Sequence, residues 1–520
     1  MLIDQLKKQY DIDCFVFLED LECSPSSTLY RTLAPFYKTA YEPTYRFVFL
    51  NFSKLKKSTL DHTVKTVDYL DISRFFVLVI TDQPETFDYF DSFDNPFSLQ
   101  LIDYKLEHSL PTTDVVPMFA NSDMCAHAWS GLHVNPDGTA KLCCEYTDTI
   151  KKPNGSKFNI RQDSIKEIVS SDYMNSIRHQ FRQGTVPKSC QKCVAIEHSG
   201  GTSKRSLTPF KLENIYGNIN WESDQVDDNL GWVGGHLGNL CNLKCRICGP
   251  TFSSSIAAEE LQLLANKKDS PVYRVLTENR WAGNSDSFWS SLRSQVPQIC
   301  NFEFLGGEPL MLKENLEFMQ WLIDSGHSQK CIFEFVTNGT QFPTVFEQAD
   351  QFRRLTLTIS IDDIGKRFEF QRSGAGWSTV SQNLLRFIAL SQSADSVSIN
   401  ISITVNIQNV LYLPELISWL RAQGIGNHNY YYNWLDDPKY LSVDNLTSSA
   451  KQLVLDKLES AKLNPEDLEK LSFVINRTRH AKTSDGVDFC QHMKQRDLHR
   501  NENFAESHKD IAIAMGYVLN

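Results

Sequence analysis

Short apolar runs alternate with longer amphipathic ones through the middle of the chain. VGGHLGNL (233–240), NFEFLGG (301–307), CIFEFVTN (331–338), RLTLTISID (354–362), VSINISITV (397–405) and HNYYYNWL (428–435) are brief, bounded by Gly, Asn or Asp, and rich in β-branched and aromatic residues. That pattern predicts strands. Between them lie segments of helical period, such as NLEFMQWLID and VSQNLLRFIAL. Six strand–helix units in succession predict parallel strands joined by right-handed crossovers, and periodicity alone does not choose between an open sheet and a barrel. Beyond 440, DNLTSSAKQLVLDKLESA and PEDLEKLSFV predict a mostly helical extension over 441–520. Before 115, YRFVFLNF (45–52) and RFFVLVIT (74–81) predict buried strands of a small α/β domain.

Residues 116–230 differ from both. The NPDG at 135–138 is a turn signal between two strand-like runs and predicts a hairpin. SIKEIVSSDYMNSIRHQF then has helical period, with Ser164 and Asp172 expected as N-caps and Gly184 and Pro187 as the stop. The expected division is therefore 1–115, 116–230, 231–440 and 441–520, in keeping with about 100–200 residues per domain for a chain of 520.

Composition narrows the function classes. The net charge of −11 argues against a phosphate-tracking nucleic-acid binder. MLIDQLKKQYDIDC has no apolar signal region, and no run of 18 apolar residues is present, so neither secretion nor a membrane span is expected. A cytoplasmic setting follows, and there the 13 cysteines are expected as thiols or metal ligands rather than disulfides.

Three of those cysteines stand within eight residues: CNLKCRIC, holding Cys241, Cys245 and Cys248, directly after the strand at 233–240. In a βα barrel this loop lies on the functional face. Soft thiolates usually bind zinc or iron–sulfur clusters in fours. The residues leave three readings: three unrelated thiols, a zinc knuckle, or a cube-shaped cluster held by three thiolates with one iron open. CNLKCRICGP resembles the cluster loop of the radical S-adenosylmethionine (SAM) superfamily. GGEP (306–309), TNG (337–339) and SIDD (360–363) with FEFQRSGAGW (368–377) follow at successive strand ends, in that family's order.

The resemblance spans roughly 231–440 and implies a partial (β/α)6 TIM-like barrel. It implies a catalytic 4Fe–4S cluster on Cys241, Cys245 and Cys248 whose open iron is chelated by SAM. It further implies SAM contacts from Gly306, Gly307, Glu308, Pro309, Asn338, Ser360, Asp362 and Arg372, and a 5′-deoxyadenosyl radical that removes hydrogen from a substrate. Asn406, at the fifth strand's end, is a further candidate.

Cys125, Cys143 (five residues after Gly138), Cys190 and Cys193 make a second set. Zinc ribbons have comparable spacing, and plain thiols are the other rival reading. The order Cys, Gly-x4-Cys, C-x2-C also resembles the SPASM and twitch auxiliary-cluster modules of radical SAM enzymes. Here the set precedes the barrel motifs and no cysteine lies between 194 and 240, which implies a twitch-like form with one auxiliary 4Fe–4S cluster. Cys144 is expected on the opposite face from Cys143 by strand alternation. Cys300 and Cys331, at strand starts, are expected to pack. Cys14 and Cys23 are read as ordinary thiols, Cys490 as a thiol with little to mark it as a ligand, and Tyr430, Tyr431, Tyr432 and Trp434 as core or as a substrate-facing wall. The expected partners are SAM, a peptide or protein substrate, and a reductant such as flavodoxin or ferredoxin. A small-molecule or sugar substrate, or a non-catalytic zinc-stabilised binding protein, are the alternatives.

Overall fold

The structure is a computed structural model of the 520-residue chain. It describes four strands between 14 and 103, then residues 124–198, 203–205, 219–226, 230–296, 299 and 301–518. The expectations for Cys23 and Cys300 fall outside these residues, as does the side chain of Cys14.

Two compact units emerge. The first comprises 1–126 and 179–217. Its strands β1 (Cys14–Leu18), β2 (Arg46–Asn51), β3 (Phe75–Thr81) and β4 (Ser98–Asp103) form a parallel sheet in sequence order. Its second segment carries the 3-10 turn Lys188–Cys190 running into the helix Gln191–His198, so Cys190 and Cys193 lie three residues apart along continuous helical backbone.

The second unit comprises 127–178 and 218–520. Six strands, β7 (Trp232–His236), β9 (Asn301–Leu305), β10 (Ile332–Thr337), β11 (Arg354–Ser360), β13 (Val397–Val405) and β14 (Tyr430–Trp434), pair in parallel and in chain order. The sheet continues past β7. Strand β5 (Gly131–Val134) pairs with it in parallel, and β6 (Ala140–Lys141) returns antiparallel to β5. The NPDG hairpin is thus the sheet's extension. Gly138 sits at φ +83° in its turn, where a Cβ would lie 2.6 Å from Asn159 Oδ1.

Alternation along the strands explains which face the helices cover. Leu355, Leu357 and Ile359 are fully buried, whereas Thr356 and Ser360 on the other face are only partly so, and Thr358 alone on that face of the strand is buried. Phe302, Phe304, Phe333 and Phe335 share the covered face, where Phe302 stacks on Phe333 with ring centroids 5.1 Å apart and meets Phe318 of the helix Lys313–Asp324 at 5.2 Å. The opposite face is polar. Glu303, Glu334, Thr356 and Ser398 stand in register across four strands. Parallel sheets covered on both faces are apolar on both, so this polar row marks a face turned towards something other than helices.

The 164–182 segment matches its expected helices with one correction. Ser164 caps Ile165–Val169 through a capping box with Glu167. Asp172, however, is the first helical residue of Asp172–Arg182, and it is Ser171 whose hydroxyl accepts from the Met174 N–H. The serine is one residue earlier in a run of equally good caps, so spacing alone did not separate them. Among the described residues, no helix is long and apolar enough to cross a membrane.

Candidate iron–sulfur and SAM site

Strand β7 ends at His236, short of the expected Leu240. Gly238, at φ +103°, turns the chain out of the sheet, and a Cβ there would lie 2.4 Å from the Asn279 carbonyl. The segment 237–253 then forms the loop that carries the three cysteines. Its exit is fixed by serines. Ser253 caps the helix Ser254–Leu263 through the Ile256 N–H while its hydroxyl donates to the Leu243 carbonyl at 2.7 Å. Ser254 Oγ accepts from the Cys241 N–H at 3.1 Å, and Ser255 Oγ donates to the Cys241 carbonyl at 2.7 Å.

Cys241 feels the charge of Cys245, and Cys248 that of both Cys245 and Cys241. Burial pushes Cys241 up to about 11 and Cys248 up to about 12, and raises Cys245. All three are therefore protonated near neutral pH unless iron displaces the protons. Cys245 has an opposing influence in Arg372. The short strands β8 (Lys244–Cys245) and β12 (Arg372–Ser373) pair antiparallel with Arg372 opposite Cys245, which sets Arg372 Nη1 3.9 Å from Cys245 Sγ. Three soft donors on one loop, with a guanidinium beside one of them, suit an anionic thiolate-held cluster.

The GGEP loop is seated directly on this loop. Gly307 abuts the carbonyls of Leu240 and Asn239, where a Cβ would lie at 2.3 and 2.7 Å, and the Glu308 N–H donates to the Leu240 carbonyl at 2.7 Å. Pro309 starts a 3-10 turn. Glu308 faces inward. Its carboxylate accepts from Thr337 Oγ1 at 2.7 Å, the Asn338 N–H at 2.6 Å and the Leu310 N–H at 3.1 Å. Burial nonetheless raises it to about 7. Glu308 thus joins GGEP to TNG. Asn338 closes the ring: its Nδ2 donates to Asn242 Oδ1 at 3.0 Å and lies 3.9 Å from Cys241 Sγ.

Asp362 and Arg372, expected on the SAM carboxylate and ribose, are brought together with each other. Arg372 Nε and Nη2 reach Asp362 Oδ2 at 3.0 and 2.7 Å, and Asp362 Oδ1 accepts from the Thr404 N–H at 2.8 Å. Ser360 ends β11 beside Ser402 and is partly exposed. Asn406 is turned into its own loop, donating to the Thr404 carbonyl and accepting from the Gln408 N–H. Its neighbour Gln408 is the side chain that strand reading passed over. It is fully buried just beyond β13, and among the described residues neither amide atom has a partner. His236 Nδ1, at the same end of β7, is likewise buried without one. Unpartnered buried polar atoms at the strand ends that carry the cysteines are consistent with a polar ligand on this face.

For the second set, Cys125, Cys143 and Cys193 are buried and Cys190 half-buried. The argument from strand alternation for Cys144 does not hold. Strand β6 ends at Lys141, and 142–145 is a bend and turn closed by the Tyr146 N–H on the Cys143 carbonyl, so adjacent residues there do not alternate. Burial still separates the two, because Cys144 is only half-buried. Cys331 is buried at the start of β10 with its thiol 3.2 Å from the His327 carbonyl, a packing position. Cys490 points its thiol at the Met515 carbonyl. Tyr430, on the helix-covered face, donates to Asp467, so that part of the aromatic run is core. Among the described residues, no three His, Cys, Asp or Glu side chains converge on a single ion.

Residues 125–194 match the family model of SPASM, an iron–sulfur cluster-binding domain. The matched segment contains Cys125, Cys143, Cys190 and Cys193 within its bounds. No curated protein matches the chain. Among solved structures it is similar to native anSMEcpe with bound AdoMet and Cp18Cys peptide, at 15% identity and a TM-score of 0.28, covering 44% of this chain and 58% of that one. It is also similar to Streptococcus suis SuiB bound to S-adenosylmethionine, at 13% identity and a TM-score of 0.30 over 65% of this chain and 68% of that one. SuiB bound to precursor peptide SuiA matches at 14% identity and a TM-score of 0.28, over 67% and 71%. The chain spans about three fifths of the length of the anSMEcpe structures.

Proposed function

We propose that this protein is a radical SAM enzyme that acts on a peptide or protein. The observation that carries the reading is the Cys241–Cys245–Cys248 loop, whose coupled thiols are braced by GGEP on one side and paired to the Arg372 strand on the other. In this reading Cys241, Cys245 and Cys248 hold a 4Fe–4S cluster, and the six parallel strands form a partial barrel over residues 231–440. When bound, the cluster and SAM supply a one-electron cleavage that yields methionine and a 5′-deoxyadenosyl radical able to take hydrogen from substrate.

The chain's own residues bind, orient and exclude water. Arg372, held in line by Asp362, offers Nη1 on the cluster side, where a guanidinium suits a carboxylate. Gly306 and Gly307 keep the GGEP backbone unobstructed, and Glu308 holds Asn338 in place beneath it. Ser360 and Gln408 supply polar atoms at neighbouring strand ends. Cys125, Cys143, Cys190 and Cys193 are assigned a fully protein-ligated auxiliary 4Fe–4S cluster, which the SPASM match supports. In sequence, the 116–230 segment then carries that cluster's cysteines, between 1–115 and the strands of 231–440, with 441–520 following. The peptide substrate rests on the company such auxiliary modules keep, and the reductant is a flavodoxin or ferredoxin of the cytoplasm.

Anaerobic reconstitution tests the reading. It should give a brown protein with about four iron per cluster, near eight in all, that releases 5′-deoxyadenosine from SAM under reduction. Cys245→Ala should lose about four iron and all SAM cleavage while keeping the auxiliary iron. Colourless, zinc-loaded protein, or SAM cleavage that survives Cys245→Ala, sinks it.

A further inference from the structure

Arg246 stands in the middle of the cysteine loop and is completely buried. Its guanidinium does not turn to the cluster side. It runs into the C-terminal helices, stacking over the Phe370 ring at 3.8 Å and pairing with Asp497 at 2.5 Å and with Glu502. Asp497 is itself fully buried, and its second oxygen accepts from the Phe504 N–H and the Tyr517 hydroxyl. The helix Val487–Arg500 ends at Asn501, whose left-handed φ of 52° turns the chain back so that Glu502 faces the loop. The other oxygen of Glu502 accepts from Ser373 Oγ at 3.1 Å. Arg500 adds a second anchor, forking onto Glu259 and donating from Nη1 to the Lys244 carbonyl at 2.9 Å.

The C-terminal helices therefore grip both members of the β8–β12 pair. They hold Lys244 and Arg246 on either side of Cys245, and Ser373 beside Arg372. We infer that Arg246, Asp497, Glu502 and Arg500 are positioning residues, a latch through which the C-terminal extension sets the Cys245 thiolate against the Arg372 guanidinium. The inference rests on the radical SAM reading. It assigns a role to 487–518 that nothing in the cysteine spacing requires. A buried ion pair is weak evidence for stability, because packed apolar groups serve as well. Its fork geometry does fix a register, and here the register is that of a thiol and the group beside it.

The test uses the full-length reconstituted protein. Arg246→Met combined with Asp497→Asn removes the fully buried pair and leaves only the partly exposed Glu502 without its counter-charge, and Glu502→Gln and Ser373→Ala remove that arm separately. The readouts are the apoprotein's melting curve, the rate of iron loss to a chelator, and the electron paramagnetic resonance spectrum of the reduced catalytic cluster with and without SAM. Iron remaining in Cys245→Ala marks the auxiliary contribution. The expected result is a melting curve close to wild type, iron loss from the catalytic cluster about 10–100-fold faster, and an altered SAM-induced spectral shift. Arg246→Lys, which keeps the charge but not the fork, should recover only part of the retention. Glu502→Gln decides the matter should the double variant fail to fold. Iron retention, spectra and SAM binding within twofold of wild type in the folded variants overturn the latch. Wild-type protein that takes up no catalytic iron overturns the radical SAM reading instead, so the two failures are distinct.

Discussion

Gly307→Ala tests whether the GGEP loop is seated on the cysteine loop as described. The added Cβ would stand 2.3 Å from the Leu240 carbonyl oxygen and 2.7 Å from that of Asn239. Both are backbone atoms, so no side chain can swing aside, and the loops must part by about 1 Å to reach van der Waals separation. Overpacking of this kind costs roughly 1–3 kcal/mol. Parting the loops also lengthens the 2.7 Å bond from the Glu308 N–H to the Leu240 carbonyl. Losing that bond adds about 0.5–1.5 kcal/mol. The sum, on the order of 2–4 kcal/mol, should lower the denaturant midpoint of the apoprotein. Leu240 precedes Cys241, so iron retention by the catalytic cluster should fall as well. Gly249→Ala is the control. It adjoins Cys248, yet a Cβ there meets nothing within 4 Å. A Gly307→Ala protein with wild-type midpoint and iron content, indistinguishable from Gly249→Ala, refutes the reasoning.

Asp362→Asn leaves the Arg372 guanidinium buried without its counter-charge, a change that costs about 3–5 kcal/mol. Thermal unfolding should show the loss and equilibrium titration should show weaker SAM binding, and unchanged stability would mean the pair contributes nothing. Cys143→Ser should remove the auxiliary iron and Cys144→Ser should not, as read by iron analysis in the Cys245→Ala background. Burial holds the Glu308 carboxyl near 7, above its ordinary 4.5, so between those values the folded chain keeps a proton that the unfolded chain has lost. Apoprotein stability should therefore fall as pH rises from about 4.5 to 7. Urea midpoints at pH 5 and pH 8 should differ less in Glu308→Gln than in wild type, and an equal difference would rule out Glu308 as the source.

What the chain declares locally was legible. The run VSINISITV coincides with β13 from Val397 to Val405, and β9, β10, β11 and β14 fall inside their apolar runs. VGGHLGNL was read four residues too long because apolar character continues after the backbone has left the sheet, and only the positive φ of Gly238 marks the exit. β1 and β4 were missed, the first a five-residue run, CFVFL, and the second the weakly apolar SLQLID. Cys144 was set apart from Cys143 for a reason that fails, since alternation needs a strand and β6 has only two residues.

The site was legible as donors and not as a scaffold. Spacing singled out Cys241, Cys245 and Cys248 because residue type and number are the signal of a thiolate site. It was silent on Lys244 and Arg246, which by spacing alone are filler between ligands. Their roles depend on Glu259, Asp497 and Arg500, and Asp497 stands 251 residues beyond Arg246. No periodicity or local motif reports a pairing of that range, since each partner on its own looks like one more charged residue on an amphipathic helix. The same holds for Gly307, which looks like a turn glycine until the Leu240 carbonyl is found beneath it. On the proposed assignment, the three-cysteine motif names the thiols that would hold iron. Their loop is braced from both sides by segments 66 and 251 residues away, GGEP in front and the helix Val487–Arg500 behind. Substitution of Arg246, an intervening residue of CNLKCRIC that offers no thiol, should therefore lower iron retention as Gly307→Ala is expected to.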